Sequence, residues 1–277
     1  MQFLILVPLL LSQAAPATDE RARIDYFRSE YQADATKYQF HHDEQRRQPL
    51  ELVEKPVMRW ATDNDWSGDV FVWTHDGAPE VLGCILSGPR GNSRVVYHEF
   101  HLLGSQPFAP VDLQTKMRWQ PKAGIARSLV PDAPEPGTTP TARLAQMRRM
   151  MRQFTAHMDA SGIWELRALP QPLYRYGDEK SDIIDGALFT YVWTTGTDPE
   201  VVLLLECLEN KGKRAWHYAP IRFSNRQVWL KHDGEEVWRA ESHREPGGES
   251  SDLPYTTRYA RSFPNTPPEQ VPATPAP

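Results

Sequence analysis

The run His98-Glu99-Phe100-His101 holds the residue types best suited to chemistry. It is one residue short of H-E-x-x-H, in which two histidines share a helix face and bind zinc. Residues Arg94 to Leu103 instead alternate in polarity, which predicts a strand. Val96, His98, Phe100 and Leu102 then share one face, and Tyr97, Glu99 and His101 the other. Zinc held by Glu99 and His101 would need a further ligand, such as His41, His42 or His217. The alternative is a strand with a polar outer face and a hydrogen-bonded His98 among apolar neighbours.

A second candidate is Asp63-Asn64-Asp65-Trp66-Ser67-Gly68-Asp69. Asp63, Asp65 and Asp69 offer oxygen ligands, and Gly68 permits the sharp turn of a calcium loop. The twelfth position, which should be a bidentate Glu, is Thr74, and no helix flanks the loop. A polar loop with Asx-turns explains the same residues. Arg59 and Arg175 each stand between apolar strand residues, where a guanidinium binds a carboxylate or phosphate with two parallel bonds, or pairs within the fold. Trp66 in the acidic loop and His75 in the following turn complete the ligand-binding candidates. The arginines Arg143, Arg148, Arg149 and Arg152 lie away from an apolar helical stripe and read as a solvated face.

The elements that must position these residues show a repetition. Phe71 to Leu86 reads as a β-hairpin turning at Gly77 and Pro79, and Tyr191 to Glu206 repeats it at an offset of 120. Trp73 and Trp193 take equivalent places and are expected in the core. At that offset Ile24, Phe27, Tyr31 and Tyr38 match Leu144, Met147, Met151 and Met158 as two apolar helical stripes. Asp34 stands where the second stripe has Phe154. Thr139 and Pro140 are an N-cap and first helical residue. Cys84 and Cys207 are out of step by an odd number, which counts against a bridge.

Composition narrows the classes. The chain has 277 residues, enough for one large domain or two small ones. A net charge of −5 gives no reason to expect a nucleic-acid partner. Phe3 to Leu11 followed by Ala15-Pro16-Ala17 is a secretory pattern, so residues 1–17 are expected to be a signal peptide. No segment is expected to span a membrane. There is no G-x-S-x-G, Walker sequence, G-x-G-x-x-G or C-x-x-C, so nucleotide and redox cofactors are not suggested. Calcium and zinc are the metals the residue types allow.

Several of these pieces together resemble a family of uncharacterised exported bacterial proteins with an internal duplication. They are the signal, Val70-Phe-Val-Trp-Thr74 with Pro79-Glu-Val81, His98-Glu-Phe-His101, Leu169-Pro-Gln-Pro-Leu-Tyr-Arg-Tyr176 and Asp185-Gly-Ala-Leu-Phe189. The resemblance implies export and no particular activity.

The expected fold is α+β: two helix-plus-antiparallel-strand repeats related by a pseudo-twofold. The first covers residues 18–130, a Pro-rich linker 131–140, and the second 141–242. Residues 243–277, with eight prolines, are expected to be a disordered tail. The expected function is a non-catalytic exported or envelope protein that binds a ligand or partner. The alternative is a metal-assisted hydrolase built on His98, Glu99 and His101.

Overall fold

The computed structural model describes residues 17–267 except 108, 114–116, 123, 179–181 and 245–249. The signal-peptide expectation therefore falls almost wholly outside the described residues, with Ala17 opening the first helix. In chain order the first part contains α1 (Ala17–Ala35), β1 (Glu51–Leu52), β2 (Met58–Ala61), β3 (Ser67–His75), β4 (Ala78–Arg90) and β5 (Ser93–Leu102). Three short strands follow: β6 (Val111–Leu113), β7 (Met117–Trp119) and β8 (Ser128–Leu129). The second part contains α2 (Pro140–Met151), β9 (Phe154–Asp159), β10 (Ile163–Glu165), β11 (Arg167–Tyr176), β12 (Ile183–Val192) and β13 (Pro199–Asn210). It continues through β14 (Lys213–Arg222), β15 (Gln227–His232), β16 (Glu235–Ala240), β17 (Ser250–Ser251) and β18 (Tyr255–Pro264).

Two large antiparallel sheets lie face to face. The first has the order β1-β3-β4-β5-β18, with β2 also on β3, and the second has the order β11-β12-β13-β14-β8. Alternation along the strands builds three cores. Val70, Val72, Leu82 and Cys84 point into the layer between the sheets, where they meet Leu188, Val202, Leu204 and Ile221. Phe71, Trp73, Val81 and Ile85 point outward to α1 and the loop after it, where Phe27, Tyr31, Tyr38 and Phe40 cover them. On the far side Phe189, Tyr191, Val201, Leu203 and Leu205 are covered by Met147, Met150, Met151, Phe154 and Met158. Strands buried on both faces read as unbroken apolar runs, and Val201 to Leu205 is such a run. Truncating one such side chain, as in Leu203→Ala, costs about 2–5 kcal/mol.

This architecture overturns the expected α+β repeat. Strands make up 52% of the structure and helices 12%, with only two helices among the described residues, so the protein is mostly β. Three differences carry the correction. The expected second helical stripe is cut after Met151: Phe154 and Met158 lie on β9, within a four-stranded sheet of order β10-β9-β15-β16. The first part has instead the short strands β6 and β7, joined into a small sheet by β17 from residues 250–251. Each large sheet is also finished by a strand from the wrong part of the chain: β18 completes the first on β5, and β8 completes the second on β14. The hairpin strands do keep the same sidedness at the offset of 120, with Leu82 and Val202 both in the middle layer. At the same offset α1 and α2 cover the outer faces, through Phe27 and Tyr31 and through Met147 and Met151, and β5 and β14 extend the hairpins. The further covering strands, β6, β7 and β17 on one side and β9, β10, β15 and β16 on the other, do not repeat.

The tail expectation is corrected with it. Residues 250–264 contain β17 and β18, and β18 pairs with β5 from Tyr255 opposite His101 to Pro264 opposite Ser93. Residues 268–277 lie outside the described residues. The Pro-rich segment before α2 is tied down: the Gly137 amide donates to the Gln146 side chain at 2.7 Å, and Gln146 donates back to the Glu135 carbonyl at 2.7 Å. Thr139 caps α2 by accepting from the Ala142 amide at 3.2 Å, as its sequence predicts. Arg143 is not on a solvated face; it is buried and paired with Asp185 at 2.9 Å. Cys84 and Cys207 are free and buried in different layers, Cys84 between the large sheets and Cys207 under α2.

Candidate functional site

Between the two large sheets lies a cleft of about 700 Å³, within the size range of small-molecule sites. Its floor is made of acids. Glu99 reaches it because odd-numbered residues of β5 face the second sheet, as the alternation of Tyr97, Glu99 and His101 predicts. Asp198 and Glu200 come from the start of β13. Pro199 between them opens that strand, where its missing N–H costs no ladder bond. Tyr255 and Thr257 come from β18, directly across from His101 and Glu99.

Aromatic side chains form the walls. Trp66, Tyr97, Trp193 and Tyr255 all line the cleft. Trp66 lies flat on the backbone of Gly88, where a Cβ atom would sit 2.2 Å from the indole ring. Only glycine permits that contact. The Arg226 guanidinium stands 5.2 Å from the centre of the Trp193 ring, a cation–π contact. Arg222 is more deeply placed. It stacks on Tyr255 at 4.9 Å and donates to the carbonyls of Ser224, Arg226 and Glu241 at 2.8, 2.7 and 2.6 Å. It thereby fixes the loop that carries Ser224 and Arg226 to the rim.

The acids are under-neutralised. Burial pushes Glu99 up to about 7, against a hydrogen bond from Tyr255 and the charge of Arg222. Burial pushes Glu200 up to about 8, with Glu99 adding to the rise and Ser224 and Arg226 opposing it. Burial, then the charges of Glu200 and Glu99, hold Asp198 well above the carboxylate range, although its side chain retains some solvent contact. At neutral pH the floor therefore offers carboxylic acid groups at Asp198 and Glu200, which both donate and accept hydrogen bonds, beside a Glu99 divided between its two forms. Burial lowers His101 to about 4, so it is neutral beside them; its Nδ1 lies 2.8 Å from the Leu102 carbonyl.

The residues singled out from the sequence are distributed unevenly around this site. Glu99, Asp63 and Trp66 line the cleft, and His101 lies just behind, its ring 6.1 Å from that of Tyr255. His98 is on the other face of β5, buried against Tyr38 at 2.6 Å and Asp34 at 3.1 Å. The expected polar outer face is in fact an inner one, because the second sheet covers it. The carboxylates of the acidic loop go separate ways: Asp65 pairs with Arg94 at 2.8 Å and Arg23 at 3.1 Å, and Asp69 with Arg59 at 3.4 Å. Burial raises Asp69 to about 6, against the charge of Arg59. Arg175 binds Asp185 with two bonds, of 2.9 and 2.7 Å, alongside Arg143. His75 stacks on His42 at 4.0 Å, away from the cleft walls. Among the described residues no three His, Cys, Asp or Glu side chains are grouped as a metal requires.

Among the cleft residues that the sequence pattern does not mark as site members are Asp198, Glu200, Trp193 and Tyr255. Asp198 and Glu200 read as part of a hairpin turn. Trp193 reads as core, whereas it is partly exposed at the end of β12. Tyr255 falls in the expected tail. The signal that marks it is Tyr255-Thr-Thr-Arg-Tyr-Ala-Arg-Ser-Phe263, a stretch rich in strand-forming residues and free of proline. Among the described residues no helix is long and apolar enough to cross a membrane. No protein-family model matches the chain, and neither does any curated protein or solved structure.

Proposed function

We propose that the cleft binds an uncharged, hydroxyl-rich ligand, a carbohydrate, and that the protein is a binding protein of the cell exterior. The observation that carries this reading is the trio Glu99, Asp198 and Glu200, brought together with little positive charge and all raised above the carboxylate range, beneath walls of Trp66, Tyr97 and Trp193. Aromatic faces accept the C–H surfaces of a sugar ring, and protonated carboxyls offer paired donors and acceptors to its hydroxyls. A cationic ligand fits less well, because Arg226 already places positive charge at the rim. The secretory pattern of residues 1–17 supports a site outside the cell.

A second reading is glycoside hydrolysis. It is favoured by one feature: buried carboxyls with raised pKa are what protonation of a glycosidic oxygen requires. Titration calorimetry against neutral oligosaccharides and against spermidine tests the first reading. Binding of a neutral sugar, weakened about tenfold by Trp66→Ala or Trp193→Ala, is the expected result. Binding of spermidine alone would overturn it. New reducing ends, abolished by Glu200→Gln with the fold intact, would select hydrolysis.

A further inference from the structure

We infer that the cleft takes an internal stretch of a linear sugar chain, with outer binding positions on Trp164 and Tyr259. The inference rests on the carbohydrate reading above. Its own observation is that the aromatic lining does not stop at the cleft. On one side the Trp164 ring lies 6.0 Å from Trp193, tilted by 33°. On the other, Trp66 lies 6.2 Å from Tyr97, tilted by 37°, and Tyr97 meets Tyr259 edge to face at 6.0 Å and 74°, so the two rings offer differently oriented faces. Aromatic rings in contact thus continue from the cleft lining to Trp164 through Trp193 and to Tyr259 through Tyr97.

Both outer rings are exposed, Trp164 by 44% and Tyr259 by 48%. Neither is a residue that core packing requires. Each is nevertheless held in place. The Trp164 indole N–H donates to the Ala160 carbonyl at 3.3 Å, and the Tyr259 hydroxyl bonds the Ser262 hydroxyl at 3.1 Å. Both sit on strands, β10 and β18, rather than on loops. A ring fixed before binding loses little freedom when a ligand stacks on it. A ligand confined to the cleft would touch neither.

The test is a chain-length series by titration calorimetry on the mature protein, with chito- and cello-oligosaccharides of two, four and six units. Affinity should rise about tenfold or more from two units to six. Trp164→Ala and Tyr259→Ala should remove most of that gain and leave two-unit binding unchanged, while Trp164→Phe should keep part of it. Equal affinity for two and six units, or a gain untouched by both alanine variants, would overturn the extended site and leave the carbohydrate reading standing. No binding in either series at any length would overturn both. Melting curves of the variants control for folding, and both positions are at the surface.

Discussion

Two clusters of buried acid lie on opposite faces of β5, one residue apart, and they are built on opposite principles. On the α1 side, Asp34 has no solvent exposure. His98 Nε2 lies 3.1 Å from it, Lys37 donates at 2.8 Å, and Arg261 donates at 2.9 Å. Burial alone would raise its pKa, but these partners outweigh it and hold Asp34 below the usual carboxylate range. On the cleft side, Glu99, Asp198 and Glu200 face each other with too little positive charge, and all three are raised. The first carboxylate is supplied with its donors inside the fold, whereas the three of the cleft are left short of them beside open space, which is the contrast that the proposed binding role rests on.

The largest effect expected from this contrast is at Asp34. Asp34→Ala leaves His98 and the bonds from Lys37 and Arg261 without their acceptor, and breaking a buried pair from one side costs about 3–5 kcal/mol. Urea unfolding should register that loss at pH 7. A loss under about 1 kcal/mol would mean that the α1 cluster does not hold the fold, and the contrast would collapse.

The second effect is a dependence on pH with opposite signs on the two faces. Glu200 has an ordinary value of 4.5 and a folded value of about 8. Below 4.5 it is protonated folded or unfolded. Between 4.5 and 8 only the unfolded chain releases the proton, so stability falls as pH rises through that window. Asp34 behaves in reverse: its contribution is present above its ordinary 3.8 and is lost as pH falls toward its lowered folded value. Glu200→Gln should therefore make the decline in melting temperature between pH 4.5 and 8 shallower and leave the acid limb alone. A variant whose profile matches the parent over that window would show that Glu200 ionises freely.

How much of this is legible in the sequence follows the range of the interactions. The alternation of β5 is readable because strand sidedness is local, so the spacing alone puts Glu99 and His98 on opposite faces. The cap at Thr139 is readable for the same reason. The trio is not, because Asp198 and Glu200 meet Glu99 only when the second sheet closes on the first. Asp34 looks like a break in an apolar stripe, since two of its partners lie far along the chain, at residues 98 and 261. The repeat misleads for a related reason. It identifies two hairpins that share an interface and a helix over each, but the strands that complete the covering layers, β6, β7 and β17 on one side and β9, β10, β15 and β16 on the other, have no counterpart. The strand that completes the first sheet comes from a stretch whose prolines suggest disorder. Analogy with Trp73 places Trp193 in the core. Trp73 is inside β3 and fully buried, whereas Trp193 is one residue past β12, where the longer turn brings it to the cleft.

The smallest expected effect is also the most local test of the contrast. The Tyr255 hydroxyl donates to Glu99, and this bond lowers Glu99 against the effect of burial. Tyr255→Phe keeps the ring and its stacking on Arg222 and removes the hydroxyl that donates to Glu99. Glu99 should then move further up from about 7, readable in a carbon-13 titration of its carboxyl, with Glu99→Gln assigning the signal. Stability at pH 7 should fall by about 1 kcal/mol, the net worth of one buried hydrogen bond. The corresponding substitution on the other face, Tyr38→Phe, removes the partner at His98 Nδ1 and should leave the Glu99 titration where it was. If Tyr38→Phe shifts Glu99 as far as Tyr255→Phe does, the two faces of β5 are electrostatically one site, and the acids of the cleft owe their state to the whole strand rather than to the space they line.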